Sequence, residues 1–165
     1  MDEVILIDKN DKPIGTSEKL EAHKKGLLHR AFSILVFNKK GELLLQKRAE
    51  NKYHSGGLWS TTACSHPKPN EKSIVAAHRR LKEEMGFDCD LEKNYSFFYK
   101  TNFPNGLIEN ECDYVFMGKY NGKVKPDPNE VVNCKWISME NLKKDIKENP
   151  DNYAFWFKKI IRNNY

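Results

Sequence analysis

With 165 residues, the chain is long enough for one domain with a hydrophobic core and too short for two comfortable ones. Apolar residues at 39% and charged residues at 31% give an ordinary globular composition, and no apolar run approaches the length of a membrane span. The formal charge of +5 suits an anionic small molecule or a solvated lysine-rich surface; with no RNA-recognition motif or arginine-rich stripe, nucleic acid is not expected as a partner.

The chain opens on Met1-Asp2-Glu3, acidic where a secretion signal would be basic and then apolar, so a cytoplasmic location without membrane attachment is expected. Val4 to Asp8 reads as a first strand, stopped by the turn residues Asn10-Asp11-Lys12-Pro13. Ser17 to His23 reads as a short helix. Ala31 to Phe37 and Glu42 to Lys47 are apolar runs around Asn38-Lys39-Lys40-Gly41, a hairpin signal with glycine in the turn. Trp59 to Ala63 follows as another strand. Glu71 to Met85 is the clearest helix: Ile74, Ala77, Leu81 and Met85 recur at three- and four-residue steps, and Gly86 stands where a helix ends. Tyr95 to Thr101 and Ile108 to Tyr120 read as long strands around Pro104-Asn105-Gly106. Val131 to Ile137 is a further strand, Ser138 caps a helix running to Lys147, and Tyr153 to Arg162 closes the pattern as an aromatic-rich helix. With no repeat or linker, residues 1–165 are expected to form one α/β unit, a mixed β-sheet covered by helices.

Two pairs carry chemistry through their spacing. In an extended segment, residues two apart share a face, so Cys64 joins His66 and Glu109 joins Glu111. With His23 and His29 these supply three imidazoles and two carboxylates, a set suited to a divalent ion whose charge the carboxylates would balance. His23 and His29 fit no single helical face and would have to converge from a loop. The same residues also read as surface or hydrogen-bonded structural groups, and Cys64 as a small buried apolar side chain. Cys64, Cys89, Cys112 and Cys134 form no CxxC pair, so reduced thiols are expected.

The segment Ser65-x5-Glu71-x7-Arg79-Arg80-Leu81-Lys82-Glu83-Glu84-Met85-Gly86-Phe87 resembles the Nudix box, whose usual form is G-x5-E-x7-R-E-U-x-E-E-x-G-U with U aliphatic. In that box, acids on one helix face hold magnesium against a diphosphate. Two positions depart from it: Ser65 replaces the first glycine, and Arg80 replaces a metal-binding glutamate of the hydrolases. The Arg79-Arg80 form is that of the type I isopentenyl-diphosphate isomerases, which the chain resembles along nearly its whole length. The matching segments are Leu27-Leu28-His29-Arg30-Ala31-Phe32-Ser33, Gly57-Leu58-Trp59-Ser60, Thr62-Ala63-Cys64-Ser65-His66-Pro67 and Glu109-Asn110-Glu111.

The resemblance implies a Nudix-like α/β/α sandwich and the reversible isomerisation of isopentenyl to dimethylallyl diphosphate, an isoprenoid diphosphate being the small-molecule partner. Cys64 and Glu111 would carry the protons, Tyr99 would orient Glu111, and Trp156 would face the cationic intermediate. His23, His29, His66, Glu109 and Glu111 would hold one divalent metal, Mn2+, Zn2+ or Mg2+, and Glu84 would place a diphosphate-bound Mg2+. Lys19, Arg48, Lys52 and Arg80 match the diphosphate-binding cations. A monomer is expected. Two other readings stand beside this one: a Nudix hydrolase of a nucleoside or other diphosphate, which Arg80 argues against, and a catalytically dead binding module, which would have no use for Cys64.

Overall fold

The computed structural model describes residues 1–165. Nine strands form one mixed sheet: β1 (Glu3–Ile7), β2 (Pro13–Glu18), β3 (His29–Phe37), β4 (Leu43–Arg48), β5 (Trp59–Ser60), β6 (Ala63–Ser65), β7 (Leu91–Asn102), β8 (Ile108–Lys119) and β9 (Val131–Ile137). Four helices accompany it: α1 (Lys19–Lys25), α2 (Ser73–Met85), α3 (Met139–Glu148) and α4 (Phe155–Asn164). No helix is long and apolar enough to cross a membrane.

β3 organises the sheet. One edge pairs in parallel with β8 from His29↔Glu111 to Phe37↔Lys119. The other edge is shared among β1 at His29, β6 over Phe32–Ile34 and β4 at Phe37. β4 meanwhile pairs along its length with β9 and, at Gln46 and Lys47, with β5. Asn38–Gly41 is therefore a turn whose two strands touch only at its root. The expected hairpin is a passage between two halves of the sheet, because β8 and β6 already hold the edges of β3.

Strand alternation divides the core between two faces. Phe32, Ile34, Val36 and Leu44 pack with Ala77, Leu81 and Met85 of α2. Leu35, Leu43 and Leu45 face the other way, onto Leu142 and Ile146 of α3 and Trp156, Phe157 and Ile160 of α4. Helices thus cover both faces of a mixed sheet, as an α/β/α sandwich requires.

Several boundaries differ from the sequence reading. Ser17 and Glu18 end a strand, and the helix expected from Ser17 begins at Lys19 and runs through Lys25. The reason is the Glu18 carboxylate, which accepts from the backbone N–H groups of Leu20 and Glu21 and so starts the helix there. Trp59 to Ala63 is interrupted at Thr61-Thr62, where Thr62 Oγ1 bonds the Leu44 carbonyl and the Val36 N–H, tying β4 to β3 instead of extending a strand. Helix α2 starts at Ser73, since Glu71 is engaged as a side chain by Arg79 and by the Lys68 N–H. β7 begins at Leu91 rather than Tyr95. Tyr153 and Ala154 precede the last helix, Tyr153 bridging to Trp59 as an extended residue. Ser138 caps α3 as expected, accepting from the Asn141 N–H at 3.2 Å.

Candidate active site and metal centre

The β3–β8 register sets His29 opposite Glu111, and alternation then aligns His29, Ala31 and Ser33 with Glu109, Glu111 and Asp113 on one face. Farther along, that face turns apolar at Leu35 and Val115 beneath α4. Its polar end is the floor of a cavity. β6 places Cys64 beside Ser33, and His66 follows just past the strand. His23 comes from α1. Gly26, at φ +65°, turns the chain from that helix back into β3, and a Cβ there would sit 3.0 Å from Ile108 Cγ2.

Three imidazoles converge on one carboxylate. Glu111 Oε1 lies 3.0 Å from Nε2 of His29, 3.0 Å from Nε2 of His66 and 3.7 Å from Nε2 of His23. His23 Nδ1 lies 2.7 Å from the Lys19 carbonyl and His29 Nδ1 lies 2.8 Å from the Leu27 carbonyl. A carbonyl only accepts, so each Nδ1 carries a hydrogen and each Nε2 turns its lone-pair side to the cluster. This is the arrangement by which backbone carbonyls orient metal-binding histidines. Tyr99 donates to Glu111 Oε2 at 2.8 Å and also contacts Glu109 Oε1.

The donors fit a divalent ion. His23, His29, His66 and Glu111 bring one ligand atom each within 4.8 Å of one another, and so do His23, His54 and Glu109. The Nε2 atoms of His23 and His54 are buried without a hydrogen-bond partner, a costly state that a bound cation would relieve. Burial pulls the pKa of Glu111 up, but the surrounding imidazoles of His23, His29 and His66 outweigh it and hold the carboxyl well below its usual range. For His66 burial prevails and lowers the pKa to about 4, so the ring is neutral, as a ligand must be. In His29 burial is outweighed by Glu111, and the pKa is raised.

The catalytic candidates line the same cavity, which includes Cys64, Tyr99, Glu109, Glu111 and Trp156. Burial pushes the Cys64 thiol up to about 12, against the pull of Arg48, so it keeps its proton at neutral pH. The Arg48 guanidinium lies 3.5 Å from Cys64 Sγ and 5.2 Å from the Trp156 ring centre. It is 6% exposed and lines only this cavity, whereas Lys19, Lys52 and Arg80 line both the cavity and an adjoining basin shared with His66 and Ser65. Glu130 contacts Lys52 and lies 3.4 Å from Arg80, bridging the two cations. Glu84 stands apart from the imidazole cluster, although it lines the cavity. Its oxygens are taken by Gln46 at 2.7 Å and by Arg80 at 2.7 and 3.1 Å.

Sequence reasoning named many of the residues that line this cavity but did not single out His54, Gln46, Glu130 or Asp113. His54, Gln46 and Glu130 carry no spacing signal. Asp113 did carry one, standing two residues beyond Glu111. It is buried, accepts from Ser33 Oγ at 2.7 Å, and has its pKa raised by burial and by Glu111.

The NUDIX domain family matches the chain over residues 27–157. The chain is 52% identical over 155 residues to "Isopentenyl-diphosphate Delta-isomerase 2" of Aromatoleum aromaticum, covering 94% of this chain and 82% of that one. It is 53% identical over 162 residues to the protein of the same name from Photorhabdus laumondii, covering 98% and 92%. Among solved structures, a Deinococcus radiodurans protein superposes with a TM-score of 0.82 at 15% identity, covering 99% of each chain. A MutT protein of Methanosarcina mazei does so with a TM-score of 0.67 at 21% identity, covering 82% of this chain and 91% of that one. At those identities the structural likeness speaks for the fold alone. The sequence relatives carry the assignment further: the chain belongs to the type I isopentenyl-diphosphate delta-isomerase family within the Nudix superfamily.

Proposed function

We propose that this enzyme isomerises isopentenyl diphosphate to dimethylallyl diphosphate, with Cys64 and Glu111 as its proton carriers. The observation that carries the residue assignment is their joint presence in one cavity, on strands flanking β3, lined also by aromatic rings and by the cations Lys19, Arg48, Lys52 and Arg80. The reaction adds a proton to the terminal methylene and removes another two carbons away, through a transition state with tertiary carbocation character. An acid, a base and exclusion of water are the needs of that chemistry.

Cys64, whose thiol stays protonated, and Glu111, whose carboxyl stays ionised, divide the acid and base roles in the forward direction. Once protons have moved, each stands ready for the reverse. Tyr99 holds Glu111 by its second oxygen. Trp156 presents an aromatic ring to the cavity, although the Arg48 guanidinium already lies near it, so Arg48 must shift or share that environment when a cation forms. Lys19, Lys52 and Arg80 would take the diphosphate in the adjoining basin. Glu84 would place its Mg2+, which requires Arg80 to turn from Glu84 toward the phosphates.

His23, His29, His66, Glu109 and Glu111 would hold a second divalent ion, Mn2+, Zn2+ or Mg2+. Bound there, it would fix the carboxylates and polarise the group it touches. Because every donor comes from one chain, we propose that a monomer suffices. The hydrolase reading is weakened by Arg80, which pairs with Glu83 and Glu84 and so neutralises box acids that hydrolysis would use. Incubation of purified protein with isopentenyl diphosphate and Mg2+ is the test. Dimethylallyl diphosphate without released phosphate or pyrophosphate is expected; release with no isomer would favour hydrolysis.

A further inference from the structure

His54 was not among the ligands expected from sequence, yet its surroundings resemble theirs. It lies in the loop between β4 and β5 and is 5% exposed. Its ring stacks on Phe103 with centres 4.4 Å apart and planes 11° apart, and meets Tyr53 and Trp156 edge-on at 4.3 and 5.6 Å. The Arg48 guanidinium donates to its backbone carbonyl at 3.2 Å. Aromatic contacts therefore hold the ring, and its Nε2 edge meets Glu109 and His23.

That edge is chemically unresolved. His54 Nε2 lies 2.6 Å from Glu109 Oε2, yet the two form no hydrogen bond, because the contact is misdirected. Nδ1, on the far side, lies 3.1 Å from Ser55 Oγ, a hydroxyl able to accept its hydrogen as the backbone carbonyls accept those of His23 and His29. A hydrogen on Nδ1 leaves Nε2 with a lone pair beside a carboxylate oxygen. Two such acceptors at this separation repel unless a cation lies where their lone pairs converge.

We propose that His54 is a fourth imidazole ligand of the metal centre, binding the ion through Nε2 from the Glu109 side. The proposal rests on the metal reading given above. His23 belongs to both donor groups, and its Nδ1 is committed to Lys19, so its single free nitrogen binds one ion. Both groups therefore describe one centre, with donors from His23, His29, His54, His66, Glu109 and Glu111. Six donors of this kind suit Mn2+ or Co2+ better than the four-coordinate geometry usual for Zn2+.

The test uses the full chain loaded with Co2+. Each imidazole bound through Nε2 contributes one strongly shifted, exchangeable Nδ1–H proton resonance. Four are expected in the native protein. His54→Gln, which keeps a polar side chain beside Glu109, should remove one of them and strengthen the visible absorption as the coordination number falls. Its Co2+ should also be lost to a chelator at least ~10-fold more readily, the lower end of what losing even an outer-sphere partner costs. Three shifted resonances in native protein, or an unchanged count in His54→Gln, overturns the proposal while leaving the metal centre standing. Failure of native protein to bind Co2+ at all overturns both.

Discussion

Glu111 touches three imidazoles and a tyrosine, so a change there tests the site more sharply than one anywhere else. Glu111→Gln keeps the shape and a neutral oxygen but exchanges no proton at a useful pKa. Turnover should fall by ~10²–10⁴, the usual worth of general acid–base participation, in protein that remains folded. In D2O the rate at which deuterium enters the product should fall with turnover in the variant; uptake at a near-native rate would remove Glu111 from the proton path. Cys64→Ser tests the other proposed carrier. A thiol at about 12 is still a far better acid than an alcohol, so steady-state rates should collapse. Cys112→Ser should leave them intact, since Cys112 packs with Ile5 and Ile7 on the opposite side of β8. At this scale, the sequence was legible where chemically paired residues stand two apart in extended backbone, as in Cys64 with His66 and Glu109 with Glu111, though not for Asp113 beyond them. It was silent on His54, whose position depends on the path of a loop and on the rings of Phe103 and Trp156.

Among the elements, α2 shows how a charged helix is anchored. Arg79 grips both oxygens of Glu71, at 2.8 and 2.9 Å, and joins the preceding loop to the helix. That hydrogen bond lowers the Glu71 pKa below its ordinary 4.5 despite partial burial. A depressed carboxyl pKa stabilises the fold above the unfolded value and loses that contribution as pH falls through the folded one. The stability difference between native protein and Glu71→Gln, followed by urea unfolding, should be present at pH 7 and shrink in acid below about 4.5. A difference independent of pH would mean that the ion pair is not its source. The length of α2 was legible because its apolar residues repeat with helical period and Gly86 ends it. The start of α1 was not, because an edge strand such as β2, exposed over Pro13–Thr16, has no apolar alternation to announce it.

For the whole molecule, the proposed metal centre would act as a tie. Its donors would come from α1, the loop after β4 and the end of β6 as well as from β3 and β8, which their ladder already joins at His29 and Glu111. Exhaustive chelation should therefore abolish activity and lower the thermal midpoint together, and restored Mn2+ or Co2+ should return both. Calorimetry that finds the same midpoint with and without metal would show that the donors are already braced by packing. The α/β class was legible from alternating periods, because burial on both faces of a sheet leaves that pattern in the chain. The sheet order was not: the turn at Asn38–Gly41 looks local, while the true partner of β3 lies far along the sequence.

That distant pairing has a cost during synthesis. His29 and Glu111 are 82 residues apart, so β3 leaves the ribosome well before β8 exists. At ~5–20 residues per second the interval is about 4–16 s. Throughout it, the run Ala31-Phe32-Ser33-Ile34-Leu35-Val36-Phe37 has an open edge and no charge to discourage another chain from pairing with it. Yield in a cell should therefore respond to holdase chaperones and to translation speed across residues 38–111 more than to the stability of the finished fold.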